Sequence, residues 1–137
     1  MIRHVAGFGE VVEDVGVTAA FYRDVLGLEV EHENGSPYGT VTIPGVLHFG
    51  LWERRAAAEA MFGDASAAER VPLGFVLGFE VDDVGRAAAA IAERGGTVVQ
   101  EPKEEPWGQK VSRFLLPSGM IAEVSETPWA RELPTIG

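Results

Sequence analysis

Residues 5–30 of this chain recur in outline at residues 74–99. A constant shift of 69 positions lays Asp14-Val15-Gly16 on Asp83-Val84-Gly85, Ala19 and Ala20 on Ala88 and Ala89, and Gly27 on Gly96. Gly9, Val12 and Val30 meet Gly78, Val81 and Val99 under the same shift. An internal repeat constrains the fold strongly, because each copy is one supersecondary unit that must bury its apolar face against something else.

Each copy reads the same way. An apolar strand (5–12, then 73–81) leads to Asp14 or Asp83. An aspartate ahead of an apolar-periodic run is a helix N-cap, since its carboxylate accepts from the free N–H groups of the first turn. Helices follow at 17–26 and 86–94 and end at Gly27 and at Gly95-Gly96. Three short strands come next in each half: 28–33, 38–43 and 46–52, then 97–101, 109–116 and 120–125. Breaks between them are set by Asn34-Gly35, Pro44-Gly45, the proline-rich 101–106 stretch and Pro117-Ser118-Gly119. The chain thus divides into a first βαβββ module at 1–53, a helical or loose linker at 54–71, a second βαβββ module at 72–126 and a tail at 127–137. The fold class is α+β. One helix covers one face of each small sheet, so the two modules are expected to pair as a curved, trough-like mixed sheet with a ligand-sized cavity.

Composition narrows the partners. A formal charge of -10 repels phosphate backbones and anionic lipid, which points away from nucleic acid and membrane surfaces. The absence of cysteine removes thiolate ligands, thiol nucleophiles and disulfides together. No apolar run is long enough to span a bilayer, and the opening Met1-Ile2-Arg3-His4 lacks the organisation of a secretory leader. The expected address is cytoplasmic.

Three stretches carry a family resemblance. Thr18-Ala19-Ala20-Phe21-Tyr22-Arg23-Asp24-Val25-Leu26-Gly27 resembles the first helix of the vicinal-oxygen-chelate superfamily, whose members include glyoxalases, bleomycin-resistance proteins and ring-cleaving dioxygenases. Phe79-Glu80-Val81-Asp82-Asp83-Val84 resembles the strand-to-helix join of its second module. Pro106-Trp107-Gly108-Gln109, with Pro117-Ser118-Gly119 and the run to Glu123, resembles its last hairpin. The resemblance implies a metal held by one residue from each module's first strand and one from each last strand. Those positions fall on Gly7, Val76, Glu123 and Phe49; registering the prolines instead of the glycines moves the last to Gly50. Only Glu123 offers a donor. A divalent ion needs three or four such ligands, so no metal or other cofactor is expected. His48 sits beside Phe49 and would face inward only after a one-residue slip. Glu10 stands at the repeat position of Phe79, on the face that packs against a helix. Its carboxylate requires a partner there, or the parity of the strand is inverted.

The preferred reading is a metal-free protein that binds a flat or cationic small molecule. Glu123 would be its counter-ion, Phe49 and Trp107 its stacking platforms, and Gln109, Gly7 and Val76 the rest of the lining. The alternative is a metal-dependent lyase, isomerase or dioxygenase of the glyoxalase kind; in a metal-free variant of such an enzyme, Glu123 alone would move the proton. A homodimer is expected, with the 127–137 tail wrapping a neighbour.

Overall fold

The computed structural model describes residues 1–130. Its elements in chain order are β1 (Ile2–Val12), α1 (Val15–Asp24), β2 (Glu29–Glu31), β3 (Tyr38–Thr42), β4 (Phe49–Glu53) and α2 (Arg54–Phe62). They continue with β5 (Gly74–Val81), α3 (Val84–Glu93), β6 (Val98–Glu104), β7 (Lys110–Leu115) and β8 (Ile121–Glu126). The repeat is present to the residue in the helices: both ends of α1 and α3 lie 69 positions apart. Asp14 accepts from the Val17 backbone N–H at 3.1 Å, and Asp83 from that of Arg86 at 3.0 Å. Each aspartate therefore satisfies an orphan donor of the first turn. The architecture is α+β, a βαβββ arrangement in two copies.

The chain forms two compact units. One is Gly7–Leu77; the other joins Met1–Ala6 to the chain from Gly78 onward. In the 7–77 unit the strands run in the order β2-β3-β4-β1, with β1 and β4 parallel and the other pairs antiparallel. Val12, Val15, Ala19, Val41, Phe49 and Leu51 form its core, with Phe8 and Tyr22 packed against them. Residues 54–62 of the linker are helical and bury Ala57, Ala58 and Met61. Arg54 fastens that helix by donating from Nε to the Val71 carbonyl at 2.8 Å.

In the other unit, β8, β7 and β6 form antiparallel pairs, and the core is Val81, Val84, Ala87 and Val124, flanked by Phe79, Ile91 and Phe114. Three strand limits differ from the sequence reading by three residues, and the first is β1, which starts at Ile2 rather than at residue 5. β6 runs through Pro102 to Glu104, although prolines mark 101–106 as a break. It is the last strand in the sheet order and carries register shifts, and an edge strand with bulges tolerates a residue that cannot donate. β4 begins at Phe49 rather than at residue 46, and the stretch between Gly45 and Phe49 is not strand. The tail beyond residue 130, read as wrapping a neighbour, lies outside the described residues.

Candidate functional site

Strand alternation assigns the faces of each unit. In the 7–77 unit, Phe8, Phe49 and Leu51 pack with α1 residues Ala19 and Tyr22, so Gly7, Gly50 and Trp52 belong to the opposite face. Phe49, read from the sequence as a stacking platform, is a core residue here. Its ring lies 5.4 Å from that of Tyr22 and 4.8 Å from that of Phe8. The position on the open face is Gly50, as registering on the prolines implies.

His48 lies on that open face. A Cβ built at Gly50 would sit 3.1 Å from the His48 Nε2. At Gly7 the constraint is harsher: a Cβ would lie 2.4 Å from the His48 carbonyl oxygen, and φ is +149°. Backbone occupies the space that a side chain at position 7 would need. Phe8 completes the junction by donating its N–H to that same carbonyl at 3.1 Å.

Glu10 has the partner that its position demands, because the Tyr22 hydroxyl donates to Oε1. Burial, followed by this hydrogen bond and the nearby carboxylate charge, pushes the Tyr22 phenol up to about 12. The strand parity stands, and the Glu10–Tyr22 pair belongs to the packing of α1 on β1.

In the other unit, Phe79, Val81, Phe114 and Val124 pack with α3, which places Glu80, Arg113, Glu123 and Ser125 on the face turned away from it. Glu123 stands opposite Arg113 in the β7–β8 register. The Arg113 guanidinium, 1% exposed, donates from Nε to Glu123 Oε2 at 3.0 Å and from Nη1 to Glu105 Oε1 at 2.8 Å. Nη1 also meets the side-chain oxygen of Gln100. Glu123 is thus not the lone carboxylate of the sequence reading. Its side chain remains 18% exposed, and its hydrogen bond among the described residues uses Oε2, which leaves Oε1 as the acceptor on offer.

A second chain of polar groups runs from the 105–109 turn to Glu80. The Trp107 indole N–H donates to Gln109 Oε1 at 3.0 Å, and Gln109 Nε2 donates to Thr127 Oγ1 at 2.7 Å. Thr127 Oγ1 donates to Ser125 Oγ at 3.3 Å, and Ser125 Oγ donates to Glu80 Oε1 at 3.4 Å. The Thr127 backbone N–H adds 2.9 and 3.1 Å contacts to the Glu80 oxygens. Glu80 is fully buried, and these donors replace the water it has lost. Trp107 and Gln109 share the 105–109 turn with Glu105, where Glu105 donates its N–H to the Gln109 carbonyl at 2.7 Å. That turn links Trp107 to the Arg113–Glu123 pair.

Sequence reasoning missed Arg113, Glu105 and Glu80. A signal for the first was present: Pro117-Ser118-Gly119 marks a turn, and equal counts outward from Ser118 pair Arg113 with Glu123. Glu80 had the signal of a carboxylate inside an apolar strand.

A family model for the Glyoxalase/Bleomycin resistance protein/Dioxygenase superfamily matches residues 2–124. This chain belongs to that superfamily. Solved superfamily structures have the same fold. Methylmalonyl-CoA epimerase from Mycobacterium tuberculosis aligns with a TM-score of 0.63 at 19% identity, over 95% of this chain and 93% of that one. A glyoxalase/bleomycin resistance protein/dioxygenase superfamily member from Vibrio splendidus 12B01 aligns with a TM-score of 0.59 at 21% identity, over 93% and 100%. No curated protein sequence matches the chain.

The metal that the resemblance implies does not fit these residues. Gly7 and Gly50 have no side chain to donate, and Val76 is a buried hydrocarbon. Glu123 is already engaged by Arg113, and among the described residues no three His, Asp or Glu side chains group as an ion would require.

Proposed function

We propose that this superfamily member is a metal-free small-molecule-binding protein whose ligand contacts Glu123, with Trp107 and Gln109 at the edge of the site. The observation that carries this reading is the state of the metal positions. The backbone at Gly7 leaves no room for a ligating side chain, and the one surviving carboxylate is held by a guanidinium. An exposed indole fixed by a hydrogen bond and a carboxylate with one open oxygen support recognition of a flat or cationic molecule. Net charge of -10 supports the same class of ligand and disfavours nucleic acid. No described helix is long and apolar enough to cross a membrane.

The runner-up is a metal-dependent lyase, isomerase or dioxygenase, which likeness to an epimerase keeps in play. Elemental analysis separates the two. Purified protein is expected to hold no stoichiometric Ni, Zn, Mn or Fe. About one ion per chain, removed by chelator together with an activity, would overturn the binding reading.

We also propose a homodimer. Val17, Phe21 and Val25 line the outer face of α1 and are exposed. The repeat puts Arg86, Ala90 and Arg94 at the matching positions of α3, so the duplicated scaffold does not itself require an apolar face there. Sedimentation at micromolar concentration is expected to give twice the chain mass for the wild type and chain mass for Phe21→Glu. Chain mass for both refutes the assembly.

A further inference from the structure

On the face of β7 and β8 turned away from α3, one sealed guanidinium serves two carboxylates. Arg113 and Glu105 have side chains 1% exposed, whereas Glu123 stays open to solvent at 18%. Lys103 reaches the second oxygen of Glu105 at 3.8 Å from a partly exposed position. That lysine contact is long and solvent-screened, so the main draw on Arg113 is the buried 2.8 Å contact to Glu105, and Glu123 keeps part of its negative charge. In a partly desolvated setting that division sets how much negative potential is left on Glu123. The bond from Arg113 Nε takes up Oε2 and leaves Oε1 to accept from a ligand.

Resting on the binding site proposed at Glu123, we infer that Arg113 and Glu105 are positioning residues that make the site select ligands carrying a positively charged N–H donor. Arg113 orients the carboxylate so that Oε1 meets the ligand, and Glu105 keeps Arg113 from cancelling its charge. An anionic ligand group meets Glu123 first and cannot reach the buried guanidinium. A quaternary ammonium group brings charge without a donor, and forgoes the hydrogen bond that Oε1 offers.

The test uses four probes that share a phenyl ring on the isotope-labelled full chain, followed by amide shifts of β7 and β8: benzylammonium, benzyltrimethylammonium, benzoate and benzyl alcohol. Benzylammonium is expected to bind best, with benzyltrimethylammonium weaker by roughly 5-fold to 10-fold for want of the charged hydrogen bond. Glu123→Gln should weaken benzylammonium by about 10-fold or more. Glu105→Gln, which retains an acceptor for Arg113, should weaken benzylammonium by about 3-fold to 10-fold and leave benzyl alcohol unchanged, and Glu105→Asp should restore most of the loss. A merely structural Glu105 would move both probes equally, and that result overturns the inference. Benzoate binding as tightly as benzylammonium, with loss in Glu123→Gln, also overturns it while leaving a binding site at Glu123. Silence of β7 and β8 toward all four probes removes the inference and the proposed site together.

Discussion

Replacing Gly7 with alanine is expected to cost about 3–5 kcal/mol of folding free energy, from backbone strain together with overpacking. The added Cβ would lie 2.4 Å from the His48 carbonyl oxygen in a backbone conformation with φ of +149°. That oxygen is backbone and not the tip of a flexible side chain, so relief requires β1 to move away from the chain at residue 48. That movement breaks the Phe8 N–H bond to the same carbonyl. Gly7→His, which would supply a donor at the family's metal position, should fare worse and should not bind metal. Gly50→Ala is the control. Its Cβ would meet the end of the His48 imidazole at 3.1 Å, and a ring that can turn aside limits the cost to about 1 kcal/mol. Denaturant titration of the three variants gives the comparison. A Gly7→His protein as stable as the wild type, with a bound divalent ion, would refute both the packing argument and the metal-free reading.

Arg113→Met should destabilise by about 3–5 kcal/mol, the range for stranding one partner of a buried ion pair. Methionine matches much of the volume, so the loss measures charge more than packing. Two carboxylates lose a close guanidinium at once: Glu105, which is buried and retains the 3.8 Å contact to Lys103, and Glu123, which is partly buried. Combining Arg113→Met with Glu105→Gln should recover about 1–3 kcal/mol, because the variant glutamine no longer carries a charge that needs solvation. Equilibrium unfolding of the single and double variants completes the cycle. Strict additivity would mean that the 2.8 Å contact carries no coupling, against the role given to Arg113 here.

Much of the fold could be read because it is written in the chain twice. Asp14 and Asp83 mark helix starts at one spacing, and the helices keep that spacing at both ends. Local capping chemistry does not depend on the rest of the molecule. Sheet faces are harder, because parity must be counted from an origin. The loop after Gly45 spends three residues before β4, whereas β8 starts two positions after Gly119. Counting four from each glycine therefore lands on opposite faces: Glu123 on the open one and Phe49 in the core. A shift of one residue reverses every side chain of a strand. The Arg113–Glu123 pair is a cross-strand contact, invisible to periodicity within either strand. The partner of Glu10 was demanded by its burial, but its identity as Tyr22 depends on how α1 lies across β1.

The assignment of Met1–Ala6 to the unit that otherwise begins at Gly78 bears on how the protein is made. That unit is not a continuous stretch of polypeptide. Its first six residues leave the ribosome well before the other members of the unit, and must wait while the intervening 7–77 unit is synthesised. Loop closure across such a separation is slow relative to local helix formation. The 7–77 unit, in contrast, is contiguous and has all its residues once β5 has begun to emerge. Cutting this gene at the linker would therefore divide the repeat neatly in sequence and leave the C-terminal fragment without part of its own unit.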